Sequence, residues 1–121
     1  MKQKVHSVSY LAKAEFKLKN GSYDLVALPA GAEVVKASLE LVGNINDCSI
    51  ALGFKDGTKS NYFLFLNDRS FADNKDKTVT ITKDYTITNS SSISATVDND
   101  NEAKCILRVL YFLPSVIEVE Y

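Results

Sequence analysis

Apolar and polar residues alternate with a period of two along much of this chain, and this pattern limits the folds that are open to it. In the segment VKASLEL (35–41), Val35, Ala37, Leu39 and Leu41 face away from Lys36, Ser38 and Glu40. The segments CSIALGF (48–54) and TVTIT (78–82) have the same period. A strand with one face in a core and the other in solvent alternates in this way. The pattern therefore predicts half-buried β-strands rather than amphipathic helices.

Turn residues separate these segments. Asn20-Gly21 and Asp56-Gly57 tolerate the positive φ angles of tight hairpins, and Leu28-Pro29-Ala30-Gly31 suits a type I turn with proline at its second position. About eight strands are predicted, at 14–19, 22–28, 33–43, 47–55, 60–66, 77–88, 92–98 and 103–113. The segments 10–19 and 106–113 also fit helical spacing. Eight antiparallel strands are typical of an all-β, two-sheet β-sandwich, including the jelly roll.

At 121 residues, the chain is expected to form one domain with its own core. We expect an N-terminal arm at 1–13, a sandwich at 14–113 and a strand-like tail at 114–121. The tail alternates in pattern and follows Pro114, which ends the preceding strand. Such a segment is able to add to a sheet edge, either its own or a neighbour's.

The charge is nearly balanced, with 14 basic against 15 acidic side chains, which argues against a direct nucleic-acid partner. The longest apolar segment, 105–117, is interrupted by Arg108 and Pro114 and is shorter than the roughly 20 residues of a membrane span. The N-terminal lysines are not followed by the apolar core of a secretion signal. We therefore expect a product made in a cytoplasm, where disulfides are rare. Cys48 and Cys105 are accordingly expected to be free, buried thiols.

The sequence offers few groups for catalysis or metal binding. His6 is the single histidine, so a hydrolytic triad or a zinc site lacks its usual components. Asp98, Asp100 and Glu102 alternate like calcium ligands, but the loop lacks the required glycine and distal glutamate. The five glycines form no phosphate-binding loop. We therefore expect a protein that is not an enzyme and that has no catalytic residues, metal site or cofactor.

Apolar residues in excess of what a two-layer core requires suggest a contact surface. The segments NYFLFL (61–66) and LRVLYFL (107–113) are apolar on both faces, whereas a sandwich strand needs one apolar face. Either loops cover the second face, or another subunit does. The candidate contacts with another subunit or a partner protein are Tyr10, Leu11, Tyr62, Phe112, Ile117, Val119 and Tyr121.

Three segments carry a resemblance to a known family. YDLVALPAGAEVVKASLELV (23–42), GNINDCSIALGF (43–54) and RVLYFL (108–113) resemble the cement or head decoration proteins of tailed bacteriophages, and most closely the cement protein of Helicobacter-infecting phages. The resemblance implies a jelly-roll-like homotrimer on the outside of an icosahedral capsid, bound to an HK97-type major capsid protein. It implies a role in clamping neighbouring capsomers, and it identifies no particular contact residue.

Two other functions fit parts of the sequence. A carbohydrate- or receptor-binding module of a phage tail or surface protein would use the six tyrosines to stack on sugar rings, although tryptophan is absent. Binding of the isolated domain to a glycan array would favour this alternative. An enzyme would need a carboxylate pair such as Glu33 and Glu40, which the strand pattern places along an exposed edge instead of in a cleft.

Overall fold

Eleven β-strands make up the regular structure of the residues described by the computed structural model, which are 2–43, 48–55, 64–67, 77–81, 85–114 and 116–120. The strands are β1 (Lys2–His6), β2 (Ser9–Lys17), β3 (Gly21–Leu28), β4 (Glu33–Val42), β5 (Ser49–Phe54), β6 (Leu64–Asn67), β7 (Lys77–Ile81), β8 (Tyr85–Thr86), β9 (Ser91–Asp98), β10 (Lys104–Phe112) and β11 (Val116–Glu120). Each of the eight predicted segments overlaps a strand, and 77–88 contains both β7 and β8. The described residues include no helix long and apolar enough to cross a membrane.

Two antiparallel sheets form the body of the protein. One has the strand order β2-β10-β4-β7, with β8 also paired to β4, and the other has the order β3-β9-β5-β6. The chain passes from one sheet to the other six times: between β2 and β3, β3 and β4, β4 and β5, β6 and β7, β8 and β9, and β9 and β10. This strand order is that of a jelly roll, and it confirms the predicted all-β, two-sheet sandwich.

The core lies between the two sheets and is built from alternate residues of their strands. Leu39 and Leu107 are fully buried and pair across β4 and β10, while Ile93 and Ala95 are buried on β9 in the facing sheet. This burial follows the predicted alternation because the side-chain period of a strand is two. A single register therefore places the whole apolar set in the core.

A β-bulge changes the alternation at the start of β4. Leu110 of β10 pairs with Lys36, but the next residue, Tyr111, pairs with Val34, so Val35 is the extra residue. Val34 is consequently fully buried and Val35 is half-buried, whereas the sequence pattern predicted Val35 as the inward-facing residue. The prediction was wrong at this position because one inserted residue reverses the two faces of a strand.

The turn between β3 and β4 lies one residue later than predicted. The amide of Ala32 donates to the carbonyl of Pro29 at 3.2 Å, so Gly31 occupies the third position of the turn, with a φ of 89°. A positive φ at that position is typical of a type II turn, not the predicted type I. The Gly31 amide donates to the carbonyl of Ile87 at 2.6 Å, and the Ile87 amide donates to the carbonyl of Ala32 at 2.8 Å. These bonds attach the turn to the segment after β8.

Neither cysteine forms a disulfide, and both side chains are buried in the core, as the sequence predicts. Burial, with a smaller contribution from the nearby Cys48, raises the pKa of the Cys105 thiol to about 12. Cys105 is fully buried, so its thiolate would lose its hydration without gaining a cationic partner.

We expect Cys105 to resist alkylation in the folded protein. A pKa of about 12 in place of 9.0 reduces the thiolate fraction at pH 8 by about 1,000-fold, before any effect of restricted access. Mass spectrometry after iodoacetamide treatment, with and without urea, measures this difference. Because the folded pKa is raised, ionisation of this thiol favours unfolding as the pH rises from about 9 towards 12. Equal labelling rates in both states would contradict the prediction.

Candidate contact surface

The strands β1 and β11 form a separate two-stranded antiparallel sheet, which we refer to as the ribbon. Its register runs from Lys2 opposite Glu120 to His6 opposite Val116. The ribbon continues the β2–β10 pair, which ends with Ser9 opposite Phe112. Two residues, 7 and 8, lie between β1 and β2, whereas three residues, 113–115, lie between β10 and β11. The junction therefore has one extra residue on the β10–β11 side. An extra residue of this kind bends a β-ladder and increases its twist.

Three contacts hold the base of the ribbon against the sandwich. The amide of Leu113 donates to the carbonyl of Val8 at 2.8 Å, and Nδ1 of His6 donates to the carbonyl of Leu113 at 3.0 Å. Pro114 packs against the turn before β4, where a Cβ atom at Gly31 would lie 2.8 Å from the Pro114 Cβ. Because proline has no amide hydrogen, it also interrupts the ladder at this point. The glycine turn and Pro114 therefore support the base of the ribbon together.

Exposed apolar side chains are concentrated around the start of β2, next to the ribbon. Leu11 is 62% exposed, Tyr10 is 51% exposed and Val8 is 41% exposed. Leu11 lies opposite the half-buried Leu110, and the half-buried Phe112 follows two residues further along β10. Since alternate residues of a strand share a face, Leu11, Leu110 and Phe112 line the outer face of the five-stranded sheet. Tyr10 lies opposite Tyr111 and therefore points to the other face, at the β2 edge of the sheet. We refer to Leu11, Leu110 and Phe112, together with Val8 and Tyr10, as the ribbon-end patch, which spans both sides of this edge.

Tyr10 links this patch to the core. Its ring makes an edge-to-face contact with the ring of Tyr111, with centroids 6.0 Å apart and planes at 88°. Tyr111 is buried and belongs to the core cluster. Aromatic pairs favour this geometry, which here holds Tyr10 in a defined position at the sheet edge. Tyr10 is therefore a rigid and half-exposed apolar group, which suits an interface contact.

The other end of the same outer face is charged. Arg108 and Glu40 form an ion pair at 2.8 Å, and Glu15 lies 3.8 Å from Lys13 and 3.7 Å from Lys104. Ion pairs between partly exposed side chains contribute at most about 1 kcal/mol each, and their main effect is to keep a surface hydrated. The larger apolar part of this face thus lies at the end nearest the ribbon, and Val42 is a single exposed apolar side chain at the other end.

The structure brings three of the predicted contact residues together. Tyr10, Leu11 and Phe112 all lie at the ribbon end of the β2–β10 pair. Ile117 and Val119 lie in β11, in register with Val5 and Gln3. Tyr62 and Tyr121 lie outside the described residues. Val8 was not predicted as a contact, although it is an apolar residue of the predicted arm, two positions before Tyr10.

The polar groups considered for chemistry have structural roles. The amide of Asn20 donates to Asp100 Oδ1 at 2.7 Å, and Glu102 lies 3.9 Å from Lys19. The Thr86 hydroxyl lies 2.8 Å from both carboxylate oxygens of Glu33, while Glu40 is held by Arg108. Within the described ranges, no group of three or more His, Cys, Asp or Glu side chains is arranged to hold a metal ion.

Solved phage structures share this fold. A chain of the cyanophage Pam1 capsid asymmetric unit matches with a TM-score of 0.66 at 16% identity, over 88% of this chain and 85% of that one. A chain of the capsid of Ralstonia phage GP4 matches with a TM-score of 0.66 at 14% identity, over 92% and 88%. At these identities the likeness shows the fold alone. No family model matches the chain, and the search of curated proteins found no significant match.

The class defined by these matches is the jelly-roll sandwich found in phage capsid structures. A third match is much closer, because a chain of the acidic stable capsid structure of Helicobacter pylori bacteriophage KHP30 has 60% identity and a TM-score of 0.88 over 100% of both chains. The present chain belongs to the family of that Helicobacter phage capsid chain. This result confirms the resemblance to virion proteins of Helicobacter-infecting phages that the sequence predicted.

Proposed function

We propose that this chain is a cement protein: a non-enzymatic protein that binds the outside of a phage capsid and stabilises the contacts between capsomers of the major capsid protein. The observation that carries the proposal is the full-length match, at 60% identity, to a chain of a phage capsid structure. That match supports a structural protein of the virion. The outer location, the HK97-type shell and the homotrimer are the finer parts of the proposal, and they follow from the family resemblance of the sequence.

The ribbon-end patch supports a binding role. Leu11 exposes most of its side chain on a sheet face whose other end carries ion pairs, and Tyr10 and Val8 lie close to it in sequence. Burying one such apolar side chain contributes about 1.5–3 kcal/mol. A trimer would present three copies of the patch, and multivalent attachment strengthens binding by about 100-fold or more without any new contact. Several modest patches are therefore sufficient for firm attachment to a shell.

We expect Leu11→Ser to weaken attachment to capsids by about ten-fold or more, because burial of a leucine contributes at least one factor of ten in affinity. Val42→Ser is the matched control, since Val42 is 37% exposed but lies at the opposite end of the same sheet, in register with Lys104. The measurement is co-sedimentation of each purified protein with capsids that lack it. Circular dichroism verifies that both variants remain folded.

Two outcomes would count against the proposal at different levels. If the unmodified protein failed to co-sediment with capsids, the cement function would be wrong. If Leu11→Ser and Val42→Ser bound as well as the unmodified protein, the function would stand and the ribbon-end patch would not be the capsid contact.

A further inference from the structure

The ribbon has two open edges. Among the described strands, β1 pairs with β11 alone, and neither strand joins one of the two main sheets. A two-stranded ribbon is at best marginally stable in water, and its outer edges carry backbone amide and carbonyl groups that are able to accept a further strand. The ribbon is therefore an element that gains stability by pairing.

The two strands of the ribbon carry opposite charges. β1 contributes Lys2 and Lys4, and β11 contributes Glu118 and Glu120. The register places Lys4 opposite Glu118 and Lys2 opposite Glu120, and Nζ of Lys2 lies 3.5 Å from Oε1 of Glu118. Both side chains of this ion pair are more than half exposed. The outer edge of β1 consequently favours an acidic strand as a partner, and the outer edge of β11 favours a basic one.

A second copy of this chain supplies both kinds of strand. We propose that the ribbons of neighbouring copies pair edge to edge, with β1 of one copy beside β11 of the next, so that the ribbons form one continuous sheet between subunits. This inference rests on the homotrimer of the proposed function and assigns its subunit contact. Pairing β1 with β1 would place lysines opposite lysines, which is unfavourable, so the charge pattern selects the head-to-tail arrangement. Head-to-tail contacts close into a ring when the rotation between copies allows it.

The apolar positions of the ribbon fit the same arrangement. Val5 is half-buried and pairs with Ile117, while Lys4 and His6 flank Val5 on β1. Because neighbouring residues of a strand lie on opposite faces, the register places Gln3 and Val5 on one face with positions 119 and 117, and Lys2 and Lys4 on the other with positions 120 and 118. Three ribbons pairing in a ring would supply six antiparallel strands, so the apolar positions would turn inwards and the charged positions would remain in water.

A charge-reversal experiment tests this contact. The variant K2E/K4E makes both strands of the ribbon acidic, and the variant E118K/E120K makes both strands basic. In either variant, β1 and β11 therefore repel each other, both within one copy and between neighbouring copies. We expect each variant to dissociate at concentrations at least about ten-fold higher than the unmodified protein. An equimolar mixture is expected to form mixed oligomers more readily than either variant alone, because two of the three contacts in a mixed trimer join opposite charges. The variant K2E/K4E/E118K/E120K is the matched control, because it restores opposite charges and is expected to assemble by itself. Native mass spectrometry identifies the composition, and sedimentation at low ionic strength gives the affinity.

The outcomes separate this inference from the proposed function. If the unmodified protein were monomeric, or if both charge-reversal variants assembled as it does, the ribbon contact would be wrong, whether or not the protein co-sediments with capsids. If charge reversal abolished assembly and K2E/K4E/E118K/E120K did not restore it, the contact would also be wrong. Mixed oligomers together with an unmodified protein that never binds capsids would support the ribbon contact and overturn the cement function.

Discussion

Truncation of Leu107 to alanine is expected to lower the free energy of unfolding by about 2–5 kcal/mol. Leu107 is fully buried at the middle of β10, where it pairs with Leu39 on one side and Ala14 on the other. Removing its branched end leaves a cavity that the strands on both sides are poorly able to fill, because their register is held by the sheet. Urea denaturation followed by circular dichroism measures the loss.

Leu11→Ala is the matched control for this prediction. It makes the same chemical change on the neighbouring strand, but Leu11 is 62% exposed, so the loss of stability is expected to stay below about 1 kcal/mol. The pair of variants separates a leucine that holds the fold from one that is available for binding. Equal destabilisation by the two variants would show that Leu11 is buried in the protein as it exists in solution.

Replacement of Gly31 by alanine is expected to destabilise the protein by about 2–4 kcal/mol. One part of the loss is conformational, because residues other than glycine rarely adopt a φ of 89°. The other part is steric, because the new methyl group would lie 2.8 Å from Cβ of Pro114. The turn and the base of the ribbon would have to move apart, so hydrogen exchange of the ribbon amides is expected to accelerate as well.

Two controls divide the loss for Gly31→Ala into its parts. Gly21→Ala introduces a methyl group at another positive φ, 141°, where the nearest atom is the Tyr23 hydroxyl oxygen at 3.9 Å, so its effect is conformational. Pro114→Gly removes the atom that the new methyl group would meet, and the double variant is expected to recover part of the steric loss. If Pro114→Gly produced no such recovery, the turn would not be pressed against Pro114.

Most strands of the two main sheets were predictable because they leave a local pattern, whereas β1 lies in the segment that was predicted as an arm. The alternation at 35–41 and 48–54 depends on residues a few positions apart, and Asn20-Gly21 marks a turn by its own backbone preferences. The bulge opposite Leu110 and Tyr111 was not predictable in this way. It depends on how β4 meets β10, and a local pattern that continues through Val35 contains no sign of the inserted residue.

The contact surface was predictable in its composition and not in its arrangement. The excess of apolar residues in 107–113 and near Tyr10 indicated a binding surface, and the tail was expected to add to a sheet edge. The pairing of the tail with residues 2–6 joins segments at opposite ends of the sequence, so no local period reports it. The pairing of β1 with β11, together with the contact between Pro114 and Gly31, places Tyr10, Leu11 and Phe112 at the base of the ribbon.

The sequence by itself determined the all-β class, the approximate strands, the lack of an evident catalytic set and the likeness to phage virion proteins. Each of these depends on residue type and short-range spacing. The tertiary structure alone decided which strands are neighbours, that Val34 is buried in place of Val35, and that Gly31 lies against Pro114. These features depend on contacts between distant segments, whose geometry is set by the register of whole sheets and by one extra residue in a ladder.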